Sequence, residues 1–252
     1  MAENIKTIQL RLNTVNQVSK ITKAMNLVSM SKLQKFQRKI KEFGDIATEF
    51  VHVKTEPFKR AEELPKLVIL FASDLGLASL YNRTLETAVK NATPEKVYWI
   101  GRQGFDRVEK NPDLDLLNEK QSSDRVELED LYDEVISLME DYQIQIAVPH
   151  MNGNTVEIHW RGLNKQLLNS DLIIYEPDYD TANKRFKEFY LYLTLYESYY
   201  YSKFSENMTR RIAMEEASNN ASDMKEELRN RYNQLRQEEI TQEILELSAG
   251  VE

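Results

Sequence analysis

Apolar side chains return every three or four residues over the first part of the chain, at Ile5, Ile8, Leu12, Val15, Val18, Ile21, Met25 and Val28, and more loosely at Leu33, Phe36, Ile40 and Phe43. A return near every 3.5 residues is the seam of a coiled coil. No proline and a single glycine, Gly44, fall between Glu3 and Pro57. The pattern therefore predicts one amphipathic helix reaching about Pro57, roughly 80 Å long at ~1.5 Å per residue. The same texture closes the chain. From Thr181 to Ala249 there is neither proline nor glycine, and Phe186, Phe189, Leu193, Tyr196, Met208, Ile212, Met224, Leu228, Leu235, Ile244 and Leu247 trace a second helical stripe. Two such helices bury their stripes most simply by pairing antiparallel with each other.

Between them the period changes. Leu67 to Ala72 is a short continuous apolar run ending in Ser73-Asp74-Leu75-Gly76, the pattern of a buried strand entering a turn. A helix is expected over Ala78 to Asn91, a strand over Val97 to Ile100, a short helix over Gly101 to Val108 and another over Leu128 to Tyr142. Ile144 to Val148 and Val156 to Trp160 read as strands joined by the turn-forming Asn152-Gly153-Asn154, and Leu172 to Tyr175 as one more strand before Pro177. The predicted class is α/β: a long antiparallel coiled coil of N- and C-terminal helices plus a small central α/β domain with a mixed, partly parallel sheet. The expected boundaries are 1–60 for the first helix, 61–180 for the central domain and 181–252 for the closing helix.

Composition narrows the function classes. Hydrophobic residues at 41% and charged residues at 29% supply a core, and the lack of cysteine excludes disulfides, thiolate metal sites and thiol nucleophiles. No apolar run approaches the ~20 residues of a membrane span. The net charge of −8 is unevenly spread, residues 1–60 carrying +7 and the remainder −15. A basic helix suits nucleic acid or anionic lipid, and equally a solvated face or an acidic partner protein. The loop after the first strand contains Gly76 but neither a G-x-G-x-x-G nor a G-x-x-x-x-G-K-[ST] cradle. His150 and His159 fall on adjacent predicted strands without a third ligand nearby, which reads as a structural pair rather than a metal site.

Longer strings carry more information. Ile8-Gln9-Leu10-Arg11-Leu12-Asn13-Thr14-Val15-Asn16-Gln17-Val18-Ser19-Lys20-Ile21-Thr22-Lys23-Ala24-Met25, followed by Ser31-Lys32-Leu33, resembles the opening helix of F-type ATP synthase gamma subunits. At the other end, Arg210-Arg211-Ile212-Ala213-Met214, Ala217-Ser218-Asn219-Asn220-Ala221, Tyr232-Asn233, Arg236-Gln237 and Ile240-Thr241-Gln242-Glu243-Ile244 resemble the same family's closing helix. Ser73-Asp74-Leu75-Gly76-Leu77 and Tyr175-Glu176-Pro177 sit at its spacing in between. There are departures: Ala78-Ser79 stands where the family usually has Cys-Gly, and Glu215-Glu216 where it has basic or small residues. The middle domain is short, and Tyr190, Tyr192, Tyr196, Tyr199, Tyr200 and Tyr201 crowd a stretch that is usually rich in Leu and Ala. Those tyrosines read either as packing between helix and domain or as an exposed contact surface.

The resemblance implies a non-catalytic rotor shaft without a cofactor, cytoplasmic and peripheral to the membrane. Its expected partners are the catalytic and non-catalytic nucleotide-binding subunits of an F-type hexamer, with an epsilon-like stalk subunit and a membrane ring as further candidates and no nucleic acid. It carries over Lys20, Lys23, Met25, Arg210, Gln237 and Thr241 as partner contacts. Met25 also falls on the apolar stripe, where packing inside the coiled coil is the alternative, and Arg210 and Gln237 are alternatively solvated helix positions. Two other readings stay open: the shaft of a specialised F-like ATPase that powers something other than ATP synthesis, such as surface motility, and a basic coiled-coil adaptor or nucleic-acid-binding protein.

Overall fold

A computed structural model describes residues 4–50, 53–57, 63–170 and 172–249. Helix α1 spans Ile5–Phe50 and helix α5 spans Tyr179–Ala249; between them come β1 (Thr55–Pro57), β2 (Lys66–Phe71), α2 (Ser79–Ala92), β3 (Lys96–Ile100), α3 (Phe105–Glu109), α4 (Leu128–Leu138), β4 (Gln143–Asn152), β5 (Thr155–Gly162) and β6 (Lys165–Leu167). The chain divides into two compact units, Met30–Arg210 and Met1–Ser29 with Arg211–Glu252.

In the larger unit, four strands are ordered β3-β2-β4-β5. Strands β3 and β4 both run parallel to β2, while β5 returns antiparallel to β4 through a turn in which Gly153 has a φ of 59°. Because β2 is interior and covered on both faces, its sequence is apolar at every position after Lys66 rather than alternating. Leu67, Ile69 and Phe71 pack with Ile144, Ile146, Leu131, Val135, Leu191 and Leu195 on the face of α4 and α5. Val68, Leu70 and Ala72 pack with Tyr81, Leu85, Val89, Trp99 and Phe105 on the face of α2 and α3. The chain from Leu116 to Gln121 forms single parallel bridges with Val97 and Ile100, covering the otherwise open edge of β3.

Several expectations are corrected. Leu172 to Tyr175 is not a strand: Leu172 and Ile174 are 94% and 91% exposed, and the segment pairs with no strand among the described residues. The added pairing lies instead between β6 and β1, an antiparallel two-stranded sheet. Helix α1 ends at Phe50, short of Pro57, and Thr55–Pro57 leaves the helical period to form that ribbon. The short helix begins at Phe105 rather than Gly101, because Gly101 and Gly104 adopt φ values of 133° and 85° that no right-handed helix accommodates. The next one ends at Leu138, before Tyr142.

Helix packing differs between the units. In the larger one, Phe36 packs on Tyr200, and Phe43 on Tyr192 and Tyr196, so α1 and α5 run antiparallel. Here α5 is buried nearly all round from Leu191 to Arg210, between α1 on one side and the sheet on the other. In the smaller unit the residues from Thr7 to Val15 line a groove with those from Met224 to Gln234. The seam of α1 there is not the apolar stripe expected from the sequence. Ile8 and Val15 are buried, but Val18, Ile21 and Val28 are exposed, and the covered positions are Ser19, Thr22, Asn26 and Ser29. The strict three-four alternation set by Ile5, Ile8, Leu12 and Val15 lands on those small polar residues; following the apolar residues slips the phase by one position, about 100° around the helix.

Gly101 marks a tight spot in the core. A Cβ at this position would press into the backbone carbonyl of Ala72. Gly101→Ala is expected to destabilise the fold by about 2 kcal/mol, whereas Gly44→Ala, on a helix with open space around it, is expected to stabilise by ~0.5–1 kcal/mol. Paired urea unfolding curves check both signs.

Candidate functional site

The C-terminal ends of β2, β3 and β4 are where an α/β sheet usually takes a ligand, at the point where chain connections diverge to opposite sides. Here that crevice is filled by the protein's own side chains. The Asp74 carboxylate accepts hydrogen bonds from the backbone N–H groups of Arg102 (3.1 Å), Ser123 (3.0 Å) and Asp124 (2.9 Å), and from the Ser122 hydroxyl. Burial alone would raise its pKa, but these donors outweigh it and hold the carboxyl below the usual aspartate range. Amides that could have gripped a phosphate are thus committed to Asp74.

Helix α5 closes the crevice with a ladder of charges. Lys203, 1% exposed, donates to the Ser123 hydroxyl at 2.7 Å, to Asp124 at 2.5 Å and to Glu206 at 3.2 Å. The other Glu206 oxygen accepts from Arg210 at 2.7 Å. Arg210 extends to the carbonyls of Leu75 (3.4 Å) and Gly76 (3.5 Å) in the loop after β2. Asp124, which also meets Lys32 of α1 at 3.5 Å, would be pushed up by burial, but the Lys203 ammonium holds it below its ordinary value. The ladder thus ties α1, α5 and two loops of the sheet together. Nearby, Ser123 donates to Ala72 O at 2.6 Å, and the Ser73 N–H and hydroxyl both donate to Asn82 at 3.1 Å.

Of the residues singled out from sequence, Arg210 is inside this ladder and buried. The others are apart from it: Lys20 and Lys23 are exposed on α1 and Met25 is half-buried, while Gln237 and Thr241 are exposed on α5. The Thr241 hydroxyl donates to the Gln237 carbonyl at 2.7 Å, one turn back. Sequence reasoning missed Lys203 and Glu206. Their signal was present: with Arg210 they follow i, i+3, i+7, the spacing of a buried helix stripe, in a segment otherwise expected to be apolar there.

A family model described as ATP synthase matches residues 4–252. The ATP synthase gamma chain of Mycoplasma mycoides subsp. mycoides is 30% identical over 287 aligned residues, covering 98% of both chains. The chain belongs to the ATP synthase gamma family. Another gamma relative, from Alkaliphilus metalliredigens, is 26% identical and covers 100% of this chain and 99% of its own. Among solved structures, a chain of the Euglena gracilis mitochondrial ATP synthase (OSCP/F1/c-ring, rotational state 3) has a TM-score of 0.73 at 16% identity, covering 98% of this chain and 93% of that one. A chain from the rotor of the same synthase in rotational state 1 has a TM-score of 0.67 at 16% identity, covering 94% and 98%. These structures share the fold of the gamma-family chain: long terminal helices around a small α/β unit.

Within this gamma-family chain the histidine pair sits on the sheet, its rings stacked at 4.2 Å, with Tyr201 stacked on His150 at 4.4 Å. Among the described residues no group of three or more metal-ligating side chains forms. His150 Nε2 is buried without a hydrogen-bond partner, so the pair is packed but not fully satisfied. Burial first, then the positive charges of His159 and Arg161, push the His150 pKa down from 6.5 to about 4.

Two outcomes follow. Lys203→Ala leaves the buried Glu206 with Arg210 alone and Asp124 with Lys32 alone, and is expected to cost about 3 kcal/mol in chemical unfolding. For His150 the unfolded chain takes up a proton below pH ~6.5, whereas the folded chain resists until about 4. Stability is therefore expected to fall as pH drops from 6.5 towards 4. His150→Gln should flatten that part of a stability-against-pH curve while leaving the loss below pH ~4, where Asp74 and Asp124 protonate.

Proposed function

We propose that this chain is the central rotor shaft of an F-type ATPase, coupling ATP hydrolysis or synthesis in a surrounding hexamer to rotation. The assignment rests above all on α5, one uninterrupted helix of 71 residues fixed to the loops of the larger unit's sheet by the Lys203–Asp124 ion pair and by the bonds of Arg210 to the Leu75 and Gly76 carbonyls. A shaft must carry torque without unwinding. Continuous backbone hydrogen bonding and an ionic clamp at the sheet both serve that need, since neither yields to small displacements as surface contacts do. Kinship with gamma chains over nearly the full length supports the same role.

The chain itself performs no chemistry in this scheme. The sheet crevice is occupied by Asp74 and its donors, which leaves nucleotide turnover to the catalytic subunits of the hexamer. Those subunits, their non-catalytic counterparts and a membrane ring are its partners, and its location is cytoplasmic and peripheral to the membrane. Among the described residues no helix is long and apolar enough to cross a bilayer.

Contacts to the hexamer fall to the exposed side chains Lys20, Lys23, Gln237 and Thr241, and to the outer part of Met25. Exposed polar contacts contribute ~0.2–1 kcal/mol each, weak enough to be exchanged as successive subunits pass. The differential grip on the shaft's unlike faces is what biases each catalytic subunit between its states.

Side chains from Arg236 to Glu246 are exposed, so removing Ile240 to Glu252 should leave the fold intact. In a reconstituted complex this truncation is expected to preserve assembly and ATP hydrolysis but weaken coupling, seen as slipping in single-molecule rotation and a loss of torque. Full coupling and rotation after the deletion would contradict the rotor assignment.

A further inference from the structure

In the larger unit, α4 and α5 flank a surface cleft of 480 Å³. Its walls are aromatic: Tyr132 from α4, and Phe189, Tyr192 and Tyr196 from α5. Tyr132 meets Tyr192 edge-on at 6.2 Å, and Tyr192 and Tyr196 lie 4.2 Å apart. Phe189 and Tyr192 keep more than a third of their surface in solvent. The rim is acidic, with Glu129, Asp133 and Glu188 against the single cation Arg185.

Tyr196 forms part of the wall and is only 6% exposed. Burial first, and then the adjacent Glu129 carboxylate, raise the pKa of its phenol.

Electron-rich ring faces with carboxylates at their edges suit a cation whose stem is apolar. The excess of carboxylates excludes an anion, and the exposed ring surface of Phe189 and Tyr192 offers a footing for the backbone that carries the cation. We propose that this cleft is a docking site for a lysine or arginine side chain presented by a basic segment of a partner protein. Its stem lies on Tyr192 and Phe189, and its charged head reaches Glu129 and Asp133. The site is built entirely within the larger unit and stands independently of the rotor assignment.

The full-length chain with 13C-labelled tyrosine rings provides the test, titrated at physiological salt with N-acetyl-Gly-Arg-Gly-amide, its lysine counterpart, and the neutral isostere in which citrulline replaces arginine. Saturable shifts confined to Tyr132, Tyr192 and Tyr196 are expected for the two cationic peptides. The exposed double substitution Asp133→Asn/Glu188→Gln should weaken binding about tenfold, and Phe189→Ala several-fold, with ring signals elsewhere unchanged to report an intact fold. Binding of the citrulline peptide as tight as that of arginine, equal binding by the Asp133→Asn/Glu188→Gln protein, or the absence of shifts at these three tyrosines would each overturn the proposal.

Discussion

Burying an ion costs several kcal/mol even after the protein relaxes around it, and helix α5 buries three within eight residues. Lys203, Glu206 and Arg210 are nearly inaccessible, so none of them can be left without a partner. Arranged one turn apart with alternating sign, they satisfy each other along the helix and spend their remaining donors on the loops that follow β2 and precede α4. The cost of burial is offset only when helix, loops and sheet stand in register. A hydrophobic stripe would tolerate sliding by a fraction of a turn; an ionic ladder tied to specific carbonyls and hydroxyls does not. The placement of α5 on the sheet, and with it the geometry of the larger unit, depends on this one set of contacts.

The smaller unit obeys a different constraint. Its seam on α1 passes through Ser19, Thr22, Asn26 and Ser29, residues that bury little apolar surface and that add little to helix propensity. Small side chains let two backbones approach closely but contribute little cohesion. Meanwhile Val18, Ile21, Leu27 and Val28 remain in solvent. A helix pair of this kind draws its stiffness from the continuity of its helices rather than from its own interface.

Much of the fold was legible in the residues. Continuous apolar runs gave β2 and β3, and Asn152-Gly153-Asn154 gave the β4–β5 turn. The absence of helix breakers gave α1 and α5. Errors came where two signals competed. Leu172 to Tyr175 has strand composition but pairs with no strand among the described residues, and propensity without a partner leaves a loop. Along α1 the apolar residues mark the buried face at Ile8, Val15 and Leu33 but not at Val18, Ile21 and Val28, where the phase slips by one position. The candidate site was less legible still. Arg210 was singled out by resemblance, whereas its buried partners Lys203 and Glu206 are charged residues in a stripe where charge is normally a sign of exposure. Nor does sequence reveal that Asp74 turns inward, because its three amide donors come from residues 28 to 50 positions away.

The tyrosine-rich stretch of α5 shows why leucine would not serve in its place. Each ring fills volume as leucine would, but several also carry a hydroxyl across the packing layer to a backbone carbonyl: Tyr190 to Gly162 at 3.0 Å, Tyr199 to Ser123 at 3.3 Å, and Tyr132 of α4 to Glu188 at 3.2 Å. These bonds join α5 to the end of β5, to the loop that carries the ionic ladder, and to α4. An aromatic residue with a polar tip thus does two jobs at a helix that is covered on all sides, packing against one layer and hydrogen-bonding through to the next. Tyr196 instead packs ring against ring, on Phe43 of α1 at 5.7 Å and on Tyr192 at 4.2 Å, so its place in the layer is set by aromatic contact.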